Sequence, residues 1–303
     1  ERVKYVHRHH RKLSGEEKML LDDYYDAFVQ NGALLDDDGK NRLRTMTEEL
    51  SLLGLQFSQN LLKETNAFKL HITEKSQLDG LPQTIIDAAR QTAKDKNKDG
   101  WIFTLEAPSY GPFMQFSTQR ELRKKMYMAY NTRCCRDNKT SNIAICKRII
   151  NLQRELAQLL GYKTYADYVM RHRMASKTRN VYRFLNKLIA AYKPTALKEI
   201  AEIKAMQQDL EPWDLAFVSH KLQLKKFNVD SEMLRPYLQL ENVIKGVFGL
   251  ATTLYGITFR ENKQIPVYHK DVKAYEVFDK DGSYLAVLYA DFYPREGKQA
   301  GAW

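Results

Sequence analysis

The chain has 303 residues, 44% of them hydrophobic and 28% charged, with a formal net charge of +11. That balance excludes a disordered chain and leaves ample length for about two domains with a buried core. No run approaches ~18 apolar residues, which argues against a membrane span. The basic surplus is interleaved with acidic residues, as in Arg120-Glu121-Leu122-Arg123-Lys124-Lys125, the pattern of a solvated helix face rather than of a nucleic-acid surface.

Only 14 Gly and 8 Pro punctuate the sequence, so long helices are expected. Ser14-Gly15-Glu16-Glu17 is a capping-box pattern, and the helix behind it carries Leu20, Leu21, Tyr24 and Phe28 before Asn31-Gly32 closes it. A longer helix is predicted from about Lys40, with Leu43, Met46, Leu50, Leu53, Phe57 and Leu61 stepping by three and four along one buried stripe. Leu81-Pro82 opens another through Ile85, Ile86 and Ala89. Trp101 to Leu105 reads as a short strand, and Pro108 and Pro112 are expected to hold the next stretch out of helix.

Thr118-Gln119-Arg120-Glu121 is expected to cap a helix with Leu122, Met126, Ala129 and Tyr130 on one face. Ile145, Ile149, Leu152, Leu156 and Leu159 define the next, ended by Gly161. Further helices are predicted over about 178–192, 194–210, 213–227 and 240–255, with Gly256 stopping the last. From Ala274 the chain reads as a β-hairpin around Asp281-Gly282. The predicted fold is mainly α, a multi-helix array with a small β-hairpin or sheet at its C-terminal end.

Chemistry-bearing motifs are few. Asp95-Lys96-Asn97-Lys98-Asp99-Gly100 with Glu106 satisfies a calcium-loop pattern, which keeps a calcium-binding protein through residues 95–106 as one alternative. With no exiting helix expected through Pro108 and Pro112, we read the segment as a polar turn feeding the strand at Trp101. His7, His9 and His10 lie close together on the basic stretch that opens the chain, and we read them as exposed side chains rather than ligands. A second alternative is a standalone basic helical binding module. The seven histidines include none followed by Glu, so the two-His, one-Glu helix of a zincin cannot be built from this sequence. Cys134 and Cys135 sit beside Arg133 and Arg136, a setting that favours thiolate, yet we read both as reduced, structurally incidental thiols; with Cys146 the count is odd and argues against a disulfide framework. No catalytic residue and no metal ligand is assigned.

Several segments, taken in order, resemble the zinc oligopeptidases of the thimet oligopeptidase and oligopeptidase A family. They are Trp101-Ile-Phe-Thr-Leu-Glu-Ala-Pro-Ser-Tyr110, Arg120-Glu-Leu-Arg123 with Tyr127 to Arg133, Leu156-Ala-Gln-Leu-Leu-Gly-Tyr162 with Tyr165-Ala166, Glu211-Pro-Trp-Asp214, Leu234-Arg-Pro-Tyr237, and Asp291-Phe-Tyr-Pro-Arg295 with Gly297-Lys298. The resemblance spans nearly the whole chain and looks closest to the bacterial peptidyl-dipeptidase branch. Phe217-Val218 stand where the family usually has paired tyrosines, and Ala300-Gly301 replace its glycine pair.

The resemblance implies a zincin-like oligopeptidase fold enclosing a deep channel, one zinc ion in the parent protein, and removal of dipeptides from the C-termini of short peptides. It implies short peptides as partners of the parent protein; the cysteine usage favours the cytoplasm, or else the periplasm, and the interleaved charges and the lack of a long apolar run argue against nucleic acid and membrane. The family's zinc helix follows some tens of residues after the last matched motif. This chain is therefore expected to be a central fragment that supplies scaffold and channel wall, binds no zinc and is inactive alone. Residues 1–100 would form a helical N-terminal-side region and 101–303 the first part of the peptidase domain. Gly301 and Ala302 are the candidate substrate-binding residues: Gly lets an extended peptide approach closely and Ala does not obstruct it. The alternative, that Gly301 marks a bulge and Trp303 is core packing, stays open.

Overall fold

The structure, a computed structural model, describes residues 1–9 and 12–298. In chain order its elements are α1 (Arg2–His9), α2 (Gly15–Gln30), α3 (Asp37–Ala67), β1 (Leu70–Ile72), α4 (Gln83–Asp95), β2 (Trp101–Phe103), α5 (Ala107–Phe116), α6 (Arg120–Asn131), α7 (Ile143–Leu159), α8 (Tyr165–Met170), α9 (Thr178–Met206), α10 (Leu215–Phe227), α11 (Ser231–Leu234), α12 (Leu240–Tyr255), β3 (Thr258–Glu261), β4 (Lys273–Phe278) and β5 (Tyr284–Ala290). The predominance of helix with a small C-terminal antiparallel sheet is what the sequence pattern predicts. Two compact units divide the chain: Glu1–Glu64 with Thr132–Ile200, and Thr65–Asn131 with Ala201–Trp303. The three cuts fall after residues 64, 131 and 200.

The first unit is built on α3 and α7. Leu43, Met46, Leu50 and Leu53 of α3 pack against Leu152, Leu156 and Leu159 of α7, with Tyr165 and Tyr168 of α8 closing the cluster. The three-and-four spacing produces this stripe because such residues fall on one side of a helix. Its α2 begins with the expected reciprocal cap: the Glu17 amide donates to Ser14 Oγ, and the Ser14 amide donates to the Glu17 carboxylate. The helix α9 runs unbroken through Pro194, whereas the sequence predicts two helices there. Proline removes only its own amide from the ladder, and the carbonyl it abandons, on exposed Ala190, is left to water.

The second unit holds the larger core: Leu70, Ile72, Leu81, Ala89, Phe103, Leu105, Phe113, Met114 and Met126 are all buried together. The strands β1 and β2 pair antiparallel, Ile72 opposite Trp101, and β1 has no counterpart in the sequence reading. A helix also forms over Pro108 and Pro112, contrary to expectation. Pro108 sits in the first turn, where no amide is needed, and Pro112 costs one bond that the burial of Phe113 offsets; its ring meets Phe103 edge-on at 4.8 Å. Thr118 does not cap α6: its hydroxyl donates to the carboxylate of Asp79 at 2.7 Å instead.

The calcium-like segment has a structural explanation. Asn97 takes a left-handed conformation just past α4, while the amides of Asn97 and Lys98 bond back to the carbonyls of Lys94 and Ala93, a Schellman cap. Gly100, with φ of +82°, then turns the chain into β2, and a Cβ there would lie 2.3 Å from the Ile72 carbonyl oxygen. The exiting helix that the sequence reading denied does exist as α5. Even so, among the described residues no three His, Cys, Asp or Glu side chains gather in a way that would hold a metal ion.

In the C-terminal sheet the order is β3-β4-β5, all antiparallel, and α12 packs on it through Phe248, stacked on Phe259 at 4.0 Å and edge-on to Tyr275 at 5.0 Å. Gly100→Ala adds both left-handed strain and a backbone clash. It should destabilise the protein by about 2 kcal/mol in chemical denaturation; an unchanged midpoint would mean the β1–β2 contact gives way freely.

Candidate functional site

The end of the C-terminal sheet is the best candidate site, because it leads to the two residues singled out from sequence. The hairpin turn is local chemistry: the Asp279 amide donates to the Ser283 carbonyl at 2.8 Å, Gly282 takes φ of +83°, and the Ser283 amide donates to the Asp281 carboxylate. Register runs from Phe278 opposite Tyr284 to Lys273 opposite Ala290, with one irregularity at Val277/Phe278. Among the described residues β5 is the last strand in the sheet, with its ladder made on one side only. Tyr284, Leu285, Leu288 and Tyr289 on it are exposed, and Ala290 is buried.

Immediately after β5, Asp291 organises the loop that follows. Arg295 grips its carboxylate with two parallel bonds of 2.8 and 2.7 Å, the Tyr268 hydroxyl donates at 3.0 Å, and Lys298 Nζ lies 3.1 Å away. Lys298 Nζ also donates to the carbonyls of Asp291 and Tyr293. The Arg295 bond, against a smaller opposing effect of burial, holds the Asp291 carboxyl well below the usual carboxylate range, with Lys298 and Tyr268 adding to it. At the tip of the loop, Glu296 meets Lys96 Nζ at 2.5 Å. Gly301 and Ala302 lie outside the described residues.

Two buried carboxylates are saturated and therefore structural. Asp214, fully buried, takes Arg120 and Arg123 on its two oxygens, with Gln207 and the Glu211 amide completing its shell. Burial pushes its pKa up, but the bonds from Arg120 and Arg123 outweigh that and leave it lowered. Glu64 accepts from the Cys134 amide, Arg136, Asn138 and Thr140 at 2.6–3.1 Å. Burial opposes its ionisation, yet Thr140, Cys134, Asn138 and Arg136 together bring it down to about 2. With every strong acceptor direction used, neither carboxylate is free to take a proton from a substrate.

The remaining sequence candidates stand apart. His7 stacks on Tyr25 and pairs with Asp22 at 3.2 Å, whereas His9 stacks on Tyr5, so these two imidazoles do not converge; His10 lies outside the described residues. The pull of the neighbouring arginines toward a Cys134 thiolate is outweighed: burial, then the Glu64 and Cys135 charges, push that thiol up, while Arg133 and Arg136 only partly oppose them. All three cysteines are free. No described helix is long and apolar enough to cross a membrane.

Sequence reasoning quoted Arg123, Asp214 and Asp291 within motifs but gave none of them a role. The first had a signal: Arg123 occupies the same stripe as Met126 and Tyr130, and an arginine on an apolar helix face calls for a buried partner.

Comparison with known proteins was informative. Peptidase family M3 matches residues 113–303. The chain is 33% identical to oligopeptidase A of Escherichia coli strain K12 over 305 residues, covering 97% of the chain and 45% of that protein. It is equally, 33%, identical to the dipeptidyl carboxypeptidase of the same organism, covering 96% and 44%. The organellar oligopeptidase A of Arabidopsis thaliana is 34% identical, covering 96% and 39%. The chain thus spans less than half the length of these curated relatives.

Replacing Glu64 by Gln would present an amide to four donors and should cost about 2 kcal/mol at neutral pH. Because its folded pKa is depressed, the wild-type contribution is complete above about pH 4.5 and is lost as pH falls toward 2. The deficit between the two proteins, read from denaturation midpoints, should therefore shrink across that window; a constant deficit would refute the charge-based account.

Proposed function

The chain belongs to peptidase family M3, and on that premise we propose that it supplies the scaffold and channel wall of a zinc-dependent oligopeptidase or peptidyl-dipeptidase acting on short peptides. The observation that carries this reading is the near-complete coverage of the chain by oligopeptidase A and dipeptidyl carboxypeptidase at matched identity, over less than half of either. Equal identity to both supports the family rather than one branch, so whether dipeptides or longer fragments are released is part of the proposal. The parent's zinc would be held by residues outside this sequence: no His here precedes Glu, and the described residues offer no convergent set of donors.

In this reading residues 1–100 are a helical region and 101–303 the first part of the peptidase domain, a division supported by a family match that begins at Phe113. A peptide would pair with the open side of the C-terminal sheet or with the chain just beyond it, where Gly301 and Ala302 would let its backbone come close. Backbone pairing tolerates many sequences, and a channel walled by helices would admit unfolded peptides and exclude folded proteins. Three unpaired cysteines favour the cytoplasm over the periplasm.

Two assays test this. The purified 303-residue chain, supplied with zinc and an N-terminally blocked peptide, should release no dipeptide above buffer; turnover in a preparation free of host peptidases would sink the proposal. In the complete enzyme, Gly301→Val should raise KM or lower kcat several-fold, roughly the loss from a misdocked substrate, while the melting temperature stays put. Activity and stability falling together would assign Gly301 to packing.

A further inference from the structure

Two lysines compete for one carboxylate oxygen beside the larger core. Lys96 Nζ lies 2.5 Å from Glu296 Oε1 and donates to it. Lys69 Nζ stands 3.9 Å from that same oxygen, within ion-pair range but too far for a hydrogen bond. The framework brings the two amines to this corner. Lys69 directly precedes the buried Leu70 of β1, and Lys96 ends α4 just past the buried Ala93. β1 pairs with β2, and α4 packs against β2.

One anion cannot neutralise two ammonium groups. Glu296 is engaged by Lys96, whose hold on its proton that bond strengthens. The other carboxylate in the field of this pair, Glu106, has its own pKa raised by burial and then by the Glu296 charge, with Lys96 partly opposing, so it is a weaker counter-ion. Lys69 is therefore the amine that releases its proton more readily. The hydrogen bond with Lys96 comes first, then burial, then the Lys96 charge; Glu296 opposes them, and Lys98 adds to them. With 35% of its side chain exposed, Lys69 is also reachable from solvent.

We propose that Lys69 is an N-acylation site whose acyl donor is an acyl phosphate. The unprotonated Nζ attacks the acyl carbonyl carbon, a C–N bond forms, and the C–O bond to phosphate breaks. The phosphate takes the electron pair and the surplus proton of the amine and leaves as hydrogen phosphate, so no further reactant is needed. The neighbouring cations act twice: Lys96 and Lys98 favour the free amine of Lys69, and their charge draws the dianionic phosphate toward it. Acylation then removes one of the two competing cations and leaves the Lys96–Glu296 bond in place. This proposal stands independently of the peptidase reading.

The test pulses the complete folded protein with acetyl phosphate and follows acetylation at each lysine by peptide mass spectrometry. Lys69 should react about tenfold faster than the exposed Lys18 and Lys263, and in denaturant the three should react alike. Lys96→Gln should bring Lys69 to within about twofold of the other two, whereas Lys96→Arg, which keeps the charge, should retain most of the advantage. Both variants should melt within about 2 °C of wild type. With a neutral acetyl ester in place of acetyl phosphate, the preference for Lys69 should fall several-fold, roughly the loss of electrostatic steering. A Lys69 that reacts no faster than the reference lysines overturns the proposal. An advantage that survives Lys96→Gln, or one lost equally in Lys96→Arg, overturns the neighbouring charge as its cause. Equal preference with the neutral ester overturns the acyl phosphate as donor.

Discussion

The second unit depends on one buried charge. Asp214 is fully desolvated, and it is tolerable only because Arg120 and Arg123 reach it from one turn of α6 while Gln207 and the Glu211 amide fill its remaining acceptor positions. Two stretches more than ninety residues apart, Arg120-Glu-Leu-Arg123 and Pro212-Trp-Asp214, are thereby locked together. Arg123 has spare faces as well: its guanidinium donates to the Ser117 carbonyl and covers the Phe217 ring at 4.2 Å. Lysine at 123 would lose the fork, the stacking and the second acceptor at once. Such a cluster adds little or no net stability over an apolar equivalent, but it accepts only one register between its partners.

The same device recurs on a smaller scale wherever the chain must take an unfavourable path. Cys134, a non-glycine residue at φ of +57°, is held because its amide donates to Glu64 and its carbonyl accepts from the Asn142 amide. Asp291 does for the exit of β5 what Glu64 does for the turn before α7. In each case a carboxylate with depressed pKa gathers donors from a loop that has no hydrophobic core of its own. The positions where carboxylates are most strongly stabilised are therefore loop joints, not a catalytic pair.

How much of this was legible depends on whether the determining interaction is local. The Ser14 cap, the Gly256 stop, the Asp281-Gly282 turn and the α3 and α7 stripes involve residues within a few positions of one another, and each was readable. Pro112 and Pro194 misled because proline's cost is one lost bond, which burial of Phe113 offsets in one case and solvent exposure in the other. The strands β1 and β3 were invisible, since three or four residues acquire strand character only from a partner elsewhere. Asp291 was legible only as part of a recurring motif, because its partners Tyr268 and Lys298 are chosen by tertiary folding.

The open side of β5 draws these threads together. Tyr284-Leu-Ala-Val-Leu-Tyr-Ala290 carries no charge, no proline and no glycine, so its composition does not discourage edge pairing. Its one irregularity is an extra residue on β5 itself, Leu285, which falls between the pairs Val277–Ala286 and Phe278–Tyr284 near the hairpin turn and leaves the far half of the strand regular. An edge this apolar is a hazard unless something pairs with it or covers it. The ionic loop that begins at Asp291 follows this edge directly. Among the described residues, one side of the β5 ladder is left without a neighbouring strand, and the Arg295 fork on Asp291 fixes the chain where that strand ends.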